Sequence, residues 1–229
     1  MKILVCVSKT PETTTKIQLT GDQSALDTSG VNYIMNPYDE WYALVRALEL
    51  KEAGGGSVTI LNVGPAENDA VIRKGLAIGA DDAIRVDVTD GGSLFIAKQI
   101  AAQAQAGEYD LIFFGKETID YNGSEVGAMV AELLDIAYVG DASKLEMDGN
   151  TATITRDIEG GLELVEVTTP FAVSAAKGMA EQRIPNMRGI MMAKRKPLKV
   201  VAAVEAPVTT EVKHYELPPA KTAVKLIDP

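Results

Sequence analysis

The segment VTILNVGPAENDAVIRKGLAIGADDAIRV, residues 58–86, decides the fold of this chain. Its first six residues are an apolar run of the kind that forms a buried strand, and Gly64-Pro65 then turns the chain into a stretch with apolar residues at helical spacing. A second apolar run, at residues 83–86, leads back into the sheet. A strand, a helix and a second strand in this order predict two parallel strands joined by a right-handed crossover.

The same alternation extends to both sides of this segment. An apolar run at residues 2–7 is the first predicted strand, Asn36-Pro37 has the form of a helix cap followed by proline, and Gly54-Gly55-Gly56 ends that helix. Beyond residue 86 we expect a helix at about 93–105 and a strand at 111–114. The sequence therefore predicts an α/β fold whose sheet is mostly parallel.

The pattern changes after Tyr138. Short strand-like runs follow at residues 144–146, 152–155 and 162–167, and Asp148-Gly149 has the residue types of a hairpin turn. We expect these runs to add antiparallel strands to the sheet.

The last 33 residues differ again, because from Pro197 onward they hold five of the chain's ten prolines and show little helical period. We therefore predict an α/β domain at residues 1–196 and an extended arm at residues 197–229. The arm is too apolar for a free linker, so we expect it to pack on another surface or another subunit. Its apolar residues include Val200, Val201, Val204, Leu217, Val224 and Leu226.

The composition fits one large hydrophobic core. The chain has 229 residues, of which 46% are hydrophobic, and its net charge is −10. No stretch approaches the roughly 18 uninterrupted apolar residues that cross a bilayer, and the N-terminus has no basic flank before an apolar segment. We therefore expect a cytoplasmic protein without membrane insertion and without a nucleic acid partner.

No residue pattern predicts catalysis. Cys6, the single cysteine, lies in an apolar strand, where a thiol behaves as a small hydrophobic group. His214, the single histidine, lies in the proline-rich arm, where we expect a solvated surface position. The sequence shows no metal-ligating cluster, nucleophile–base pair or carboxylate dyad, so it predicts neither catalytic residues nor a metal site.

Positive charge is concentrated late in this acidic chain. Residues 177–199 hold seven lysines and arginines against one carboxylate, within a chain of net charge −10. The same stretch contains QRIPNMRGIMMAKRKPL, residues 182–198, which combines a proline-broken loop with three methionines. Such charge asymmetry favours oriented encounters with a charged partner, so we interpret the stretch as a docking surface.

A ligand site is expected at the carboxyl ends of the parallel strands, where the strand order of an open α/β sheet reverses. Three loops are predicted to meet there: the loop after Val7, Gly64-Pro65, and residues 115–127. In the third loop, residues 123–127 open a helix whose N–H groups can hold an anion such as phosphate. The loop matches neither GxGxxG nor a P-loop, and a glycine turn with an ordinary Ser or Asp cap remains the alternative.

Six segments, taken in order, closely resemble the β subunit of electron transfer flavoproteins. Each segment is a weak signal alone, but their joint order is specific and covers nearly the whole chain. They are MKILVCVSKTPE (1–12), NPYDEWYALVRALELKE (36–52), GPAENDAVIRKGLAIGADDAIRV (64–86), GKETIDYNGSEVG (115–127), EGGLELVEV (159–167) and PNMRGIMMAKRK (185–196). The resemblance implies a Rossmann-like sheet of the adenine nucleotide α-hydrolase-like type.

The resemblance also implies an electron carrier rather than an enzyme. The expected assembly is a heterodimer with an α subunit that binds most of the FAD. Its electrons would come from acyl-CoA and related dehydrogenases of fatty acid oxidation and pass to a quinone-linked oxidoreductase.

Within the β subunit, the resemblance implies a bound adenine nucleotide, AMP. A second branch of the family instead holds a second FAD there and splits electron pairs between two acceptors. In this chain the glycine loop reads Gly-Ser-Glu-Val-Gly, where relatives often have Asn-Gln-Thr-Gly or Thr-Ala-Gln-Val-Gly. The Glu125 carboxylate must therefore either point away from a bound phosphate or weaken its binding. The matching positions are Cys6, Asn36, Val63, Asp120, Gly123, Ser124, Glu125, Val126 and Gly127.

For partner recognition, the family projects a hydrophobic side chain from a loop, here about residues 180–196. Met187 is the matching position, and a flexible methionine suits several partners. We expect Met191 and Met192 to pack against the protein's own core in a short helix. The cations predicted to act with Met187 are Arg188, Lys194, Arg195 and Lys196.

Two functions of other classes share the broad architecture. One is a stand-alone ATP-binding stress or signalling module without flavin or an α partner, against which the apolar arm argues. The other is a nucleotide α-hydrolase, which is disfavoured because the chain has no phosphate-binding loop with catalytic side chains.

Overall fold

The computed structural model describes residues 1–89 and 91–221 of the chain, so Val224 and Leu226 of the predicted arm lie outside the described residues. Within that part, nine strands form one sheet and two short strands form a separate antiparallel pair. The strands are β1 (Lys2–Cys6), β2 (Lys9–Pro11), β3 (Tyr33–Met35), β4 (Ser57–Val63), β5 (Asp82–Asp87), β6 (Leu111–Gly115), β7 (Ala137–Asp148), β8 (Thr151–Ile158), β9 (Gly161–Thr168), β10 (Phe171–Ala175) and β11 (Leu198–Ala202).

Five α-helices and one short 3-10 helix, Ala66–Asn68, accompany the strands in the described chain. None of its helices combines the length and the apolar character that a bilayer span requires. The α-helices are α1 (Asp39–Gly54), α2 (Asp69–Ile78), α3 (Ser93–Gly107), α4 (Val126–Leu134) and α5 (Met187–Ala193).

The helices cover both faces of the large sheet. In β1, Ile3 and Val5 pack with α1 and α2 in one apolar cluster, whereas Leu4 and Cys6 pack with α3 and α4 in a second cluster on the other face. This alternation follows from the two-residue period of a strand, and it explains why residues 3–6 of β1 are all apolar. The result is a three-layer arrangement with the parallel strands buried in the middle.

The order of the strands fixes where a ligand can bind. The sheet has the order β11-β5-β4-β1-β6-β10-β7-β8-β9. From β1 the chain moves outward through β4 to β5, and then returns to place β6 on the other side of β1. The strand order thus reverses between β1 and β6, and the loops that follow these strands lie where open α/β sheets bind ligands. The region between these two loops, at the carboxyl ends of β1 and β6, is called the crevice below.

The predicted fold class is confirmed, with two differences in detail. The parallel strands are β1, β4, β5, β6, β10 and β11, and β7 to β9 form the predicted antiparallel ribbon. The sequence did not predict β10, which is buried along its whole length and runs parallel to both β6 and β7. The arm was expected to begin at residue 197, but its first residues form β11, an edge strand parallel to β5.

The described part of the arm lies on its own chain rather than extending freely. Beyond β11, the Gln99 side chain of α3 accepts a hydrogen bond from the Val204 N–H at 2.8 Å and donates one to the Val204 carbonyl at 3.0 Å. Farther along, the Tyr215 N–H donates to the Gln23 carbonyl at 3.0 Å. Apolar side chains between and beyond these contacts, Val208, Val212 and Leu217, remain exposed.

Gln99→Ala is expected to release the arm from α3. The buried Gln99 amide makes one hydrogen bond to each backbone polar group of Val204, and each such bond contributes about 0.5–1.5 kcal/mol. We therefore expect the Val204 amide hydrogen to exchange roughly ten- to a hundredfold faster, as measured by hydrogen–deuterium exchange. Gln105→Ala, at an exposed position of the same helix, is the matched control. Unchanged exchange at Val204 in the Gln99 variant would show that the arm is held elsewhere.

Candidate functional site

A buried carboxyl group occupies the crevice between β1 and β6. Glu40, in the first turn of α1, is only 5% exposed, and its Oε2 accepts a hydrogen bond from the Ser8 N–H at 2.6 Å. Helix α1 also approaches the end of β6 closely, because a Cβ atom on Gly115 would lie 2.7 Å from Glu40 Cγ and 2.8 Å from its backbone nitrogen. Glycine at position 115 thus permits the contact that closes one side of the crevice.

Asn36 links the loops on the two sides of the crevice. Its Nδ2 donates to the Glu117 carbonyl at 3.0 Å, and its Oδ1 accepts from the Ile119 N–H at 3.0 Å. Its own N–H donates to the Ser8 carbonyl at 3.0 Å. The prediction of Asn36 as a helix cap is wrong, because α1 begins only at Asp39, after Tyr38. The buried Asn36 amide instead bonds to a loop 81 residues away.

At the same edge of the sheet, the N-terminus of α4 has backbone N–H groups that do not take part in the helical hydrogen bonds. The Met129 N–H donates to the Glu125 carbonyl at 3.0 Å, so the N–H groups of Val126, Gly127 and Ala128 precede that bond. No side chain among the described residues caps this helix. The predicted alternative of an ordinary Ser or Asp cap therefore does not hold, and the donors and the helix dipole suit an anionic ligand.

The turn before α4 has an unusual backbone. Asn122 and Ser124 have φ values of 49° and 51°, and the Ser124 hydroxyl donates to Glu117 Oε2 at 3.3 Å. Asp120, Gly123 and Glu125 are exposed in the same turn. The Glu125 carboxylate is thus solvated, which agrees with the expectation that it does not contribute to an anion site.

Gly127 has a packing role in addition to its predicted backbone role. It is buried, and a Cβ atom there would lie 3.0 Å from the Tyr138 ring and 3.2 Å from the Phe114 ring. A larger residue would therefore push α4 away from the sheet.

Cys6 and Val63 lie at the carboxyl ends of the neighbouring strands β1 and β4, on the face covered by α3 and α4. Burial, with a smaller contribution from the Glu40 carboxyl, raises the pKa of the Cys6 thiol well above its ordinary value. The thiol is consequently unreactive, as the sequence predicted. The fold brings both residues to the same edge as Asn36 and the N-terminus of α4.

The predicted docking segment is a short helix with an exposed apolar surface. Met187 begins α5 and is 75% exposed, Met191 is 68% exposed, and Ile184 just before the helix is 84% exposed. The expectation that Met191 and Met192 pack into the protein's own core is wrong, because Ala193 is the residue of α5 that is buried. Ile184, Met187 and Met191 together are called the apolar patch below.

Backbone contacts hold α5 against the end of α2. The Asn186 side chain caps α5 by accepting from the Gly189 N–H at 2.8 Å. A Cβ atom on Gly189 would lie only 2.4 Å from the Ala77 carbonyl oxygen, so only glycine allows this approach. From α2, the Arg73 guanidinium donates to the carbonyls of Ala193 and Lys196 at 2.8 and 2.6 Å.

Lys196 has a structural role that the sequence did not reveal. Its Nζ donates to the carbonyls of Leu76 and Ala80 at the end of α2, and burial lowers its pKa. The prediction that Lys196 acts as a surface cation beside Met187 is therefore not supported, whereas Arg188, Lys194 and Arg195 are exposed.

Sequence comparisons with known proteins show the family of this chain. The sequence model of the family described as "Electron transfer flavoprotein domain" matches residues 24–206. The chain is 35% identical, over an alignment 238 positions long, to the electron transfer flavoprotein subunit beta of Bacillus subtilis, with 99% of this chain and 91% of the relative covered. The same subunit of Syntrophomonas wolfei is 36% identical, covering 100% and 90%, and that of Mus musculus is 33% identical, covering 97% and 91%.

This chain belongs to the electron transfer flavoprotein β-subunit family. The family resemblance inferred from the six sequence segments is thereby confirmed. A β subunit of this family is an electron-carrier subunit and not a catalytic enzyme. Residues 1–89 and 91–221 contain no group of three or more His, Cys, Asp or Glu side chains that could hold a metal ion.

Sequence reasoning missed a buried polar network beside Val63. Asn62 Nδ2 donates to the Val7 carbonyl at 2.8 Å, and Asn68 Nδ2 donates to Asn62 Oδ1 at 3.0 Å. Arg85 on β5 donates to the Gly64 carbonyl at 2.9 Å and pairs with Asp69 and Asp87. These contacts fix the loop after β4 against β1. The signal was available, since Asn62 and Arg85 are polar residues inside otherwise apolar strands.

Proposed function

We propose that this chain is the β subunit of a heterodimer whose α subunit binds most of the FAD, and that it holds one AMP at the carboxyl edge of its sheet. The observation that carries the proposal is the uncapped N-terminus of α4 beside the crevice between β1 and β6, in a chain of this family. The β subunit would thus contribute a nucleotide-filled scaffold and a docking surface.

The residues at this edge fit an adenine nucleotide. The N–H groups of Val126, Gly127 and Ala128 would bind the phosphate, and Asn36 would hold the loop that leads to them. Cys6 and Val63 would line the adenine through backbone and small side chains. AMP has no redox-active group, so its contribution when bound is structural.

Two exposed apolar surfaces support a partner subunit. On the edge strand β9, Leu162 and Leu164 are 67% and 71% exposed, and their two-residue spacing places both on the same face of the ribbon. The arm adds its own exposed apolar side chains. An apolar strand at a sheet edge is a surface that proteins normally cover. We assign the α subunit to these two surfaces.

The apolar patch supports docking to a dehydrogenase. Ile184, Met187 and Met191 project from a segment that is fixed to α2, and the exposed cations Arg188, Lys194 and Arg195 belong to the same segment. An apolar centre beside charged groups suits a transient complex, because the charges speed the encounter and the apolar contact sets its lifetime. Electrons would then pass from acyl-CoA or related dehydrogenases, through the FAD, to a quinone-linked acceptor.

Acid extraction of the complex, purified after co-expression with the α subunit, tests the nucleotide assignment. We expect one equivalent of AMP and one of FAD, with a flavin absorption spectrum before extraction. Two equivalents of FAD without AMP would favour the branch that carries a second flavin, and a preparation without adenine nucleotide would contradict the proposal.

Ser124→Asp is expected to lower the AMP content of the complex roughly tenfold or more while leaving FAD bound. The new carboxylate would compete for the N–H groups of α4 and repel a phosphate, and aspartate tolerates the positive φ at this position. The substitution also replaces the long 3.3 Å hydrogen bond to Glu117 by a repulsion between carboxylates, which costs little because this contact is exposed to solvent. Folding should therefore be preserved, which circular dichroism checks. Ser93→Asp, at the start of α3, is the matched control and should keep its AMP. Full AMP content in the Ser124 variant would place the phosphate elsewhere.

A further inference from the structure

A continuous chain of hydrogen bonds joins the buried Glu40 side chain to the turn that precedes α4. Glu40 Oε2 accepts from the Ser8 N–H, and the Ser8 carbonyl accepts from the Asn36 N–H. The Asn36 side chain then bonds to Glu117 and Ile119 on the other side of the crevice. One carboxyl group thus anchors a network that spans the point where the strand order reverses.

Close packing surrounds this carboxyl group, and Glu40 is 5% exposed. The Glu40 backbone and Cγ contact the end of β6 so closely that residue 115 must be glycine, and α1 is fixed against the sheet by buried Leu44 and Leu48. A side chain held in this way is pre-organised, so it can fix the Ser8 backbone without further loss of conformational entropy.

The charges that face Glu40 are negative. Asp39 lies next to it on α1 and Asp120 lies in the loop after β6, while Cys6 of β1 contributes a buried neutral thiol. Burial, together with Asp120 and Asp39 and against the hydrogen bonds from Ser8, raises the pKa of Glu40 to about 8. At neutral pH the side chain is therefore mostly uncharged, and it adds little negative charge to a crevice that must accept an anion.

We propose that Glu40 is a positioning residue of the nucleotide site, which sets the loops after β1 and β6 for an anionic ligand by holding Ser8 and, through it, Asn36. The proposal rests on the nucleotide site proposed above. Because Glu40 acts in its neutral form, deprotonation places a negative charge in the crevice and weakens nucleotide binding as the pH rises through about 8.

The test measures AMP binding by the purified complex across a pH series, for the wild type, Glu40→Gln and Glu40→Ala. The second phosphate ionisation of AMP is complete above about pH 7, so the ligand charge stays constant in the upper range. For the wild type we expect an AMP dissociation constant that rises by up to roughly thirtyfold between pH 7 and about pH 9.5. Glu40→Gln keeps an acceptor for Ser8 but cannot ionise, so its affinity should stay nearly constant over this range.

Glu40→Ala and Glu132→Gln distinguish the loss of the Ser8 contact from an unspecific effect of removing a carboxylate. Glu40→Ala removes the acceptor for Ser8 and should bind AMP weakly at every pH, whereas Glu132→Gln, at an exposed position of α4, should follow the wild type. A pH profile shared by the wild type and Glu40→Gln would assign the titration to another group and overturn the inference, as would unchanged AMP binding in Glu40→Ala. A wild-type complex that binds no AMP at neutral pH would instead contradict the proposed function itself.

Discussion

Replacing Met187 with alanine is expected to slow electron transfer from a partner dehydrogenase about thirtyfold while leaving the flavin spectrum unchanged. The side chain is 75% exposed at the start of α5, where it contributes little to the protein's own core. Loss of an apolar anchor at the centre of an interface typically costs about 2 kcal/mol or more, which corresponds to roughly a thirtyfold change in affinity. Steady-state transfer from an acyl-CoA dehydrogenase, at subsaturating concentrations, measures the effect.

Leu133→Ala provides the matched control, because it removes an exposed apolar side chain from α4, outside the docking segment. That variant should transfer electrons at the wild-type rate. Since Met187 is exposed, we also expect its loss to change the free energy of unfolding by less than about 0.5 kcal/mol. Normal transfer combined with a melting temperature lowered by several degrees would identify Met187 as a core residue and contradict the docking proposal.

The contacts beneath the apolar patch explain why so short a helix can act as a docking element. A seven-residue helix is marginal on its own. Here Gly189 lies directly against the Ala77 carbonyl, and Arg73 and Lys196 exchange hydrogen bonds between α2 and the end of the segment. The patch is thus fixed before a partner arrives, which reduces the ordering cost of association.

The sequence predicted those parts of the fold that local periodicity determines. The runs that became β1, β4 and β5, and the glycines that end α1, lay within a residue or two of the observed bounds. Strand β10 was missed because its five residues, FAVSA, are too short to distinguish a buried strand from other apolar runs. The start of the arm was misjudged because β11 becomes a strand through its pairing with β5, more than a hundred residues away.

At the candidate site too, the sequence predicted local features and missed contacts between distant parts of the chain. The resemblance directed attention to Asn36 and the turn before α4, and the fold brings both to one crevice. The pattern Asn-Pro suggested a helix cap because a cap is a local motif, but the partners of the Asn36 amide are at positions 117 and 119. Glu40 gave no signal at all, because an acidic residue in the first turn of a helix is ordinarily a solvated, dipole-favoured group. Only the close approach of β6 buries it.

The burial of Glu40 leads to the largest stability effect that we expect. Its pKa is about 8 in the folded protein against an ordinary value of 4.5. Below pH 4.5 the side chain is neutral in both states, whereas between 4.5 and 8 the unfolded chain ionises and the folded chain does not. The unfolded state binds fewer protons in this window, so the wild type loses stability as the pH rises through it. Glu40→Gln, which stays neutral in both states, does not incur this loss.

The free energy of unfolding of Glu40→Gln, relative to the wild type, should therefore rise by about 3–5 kcal/mol between about pH 4.5 and 8.5. A pKa of about 8 in the folded protein against the ordinary 4.5 gives about 4 kcal/mol over this pH window, at about 1.4 kcal/mol for each tenfold change in the ionisation constant. Urea unfolding of both proteins without added nucleotide, followed by circular dichroism at each pH, gives this difference, in which the titration of all other groups cancels. Glu49→Gln removes a partly exposed carboxylate of the same helix, paired with Arg46, and should change the free energy by less than about 1 kcal/mol at either pH. A constant difference between Glu40→Gln and the wild type across the series would mean that Glu40 ionises normally in the folded protein, and both its burial and its role at the crevice would have to be reconsidered.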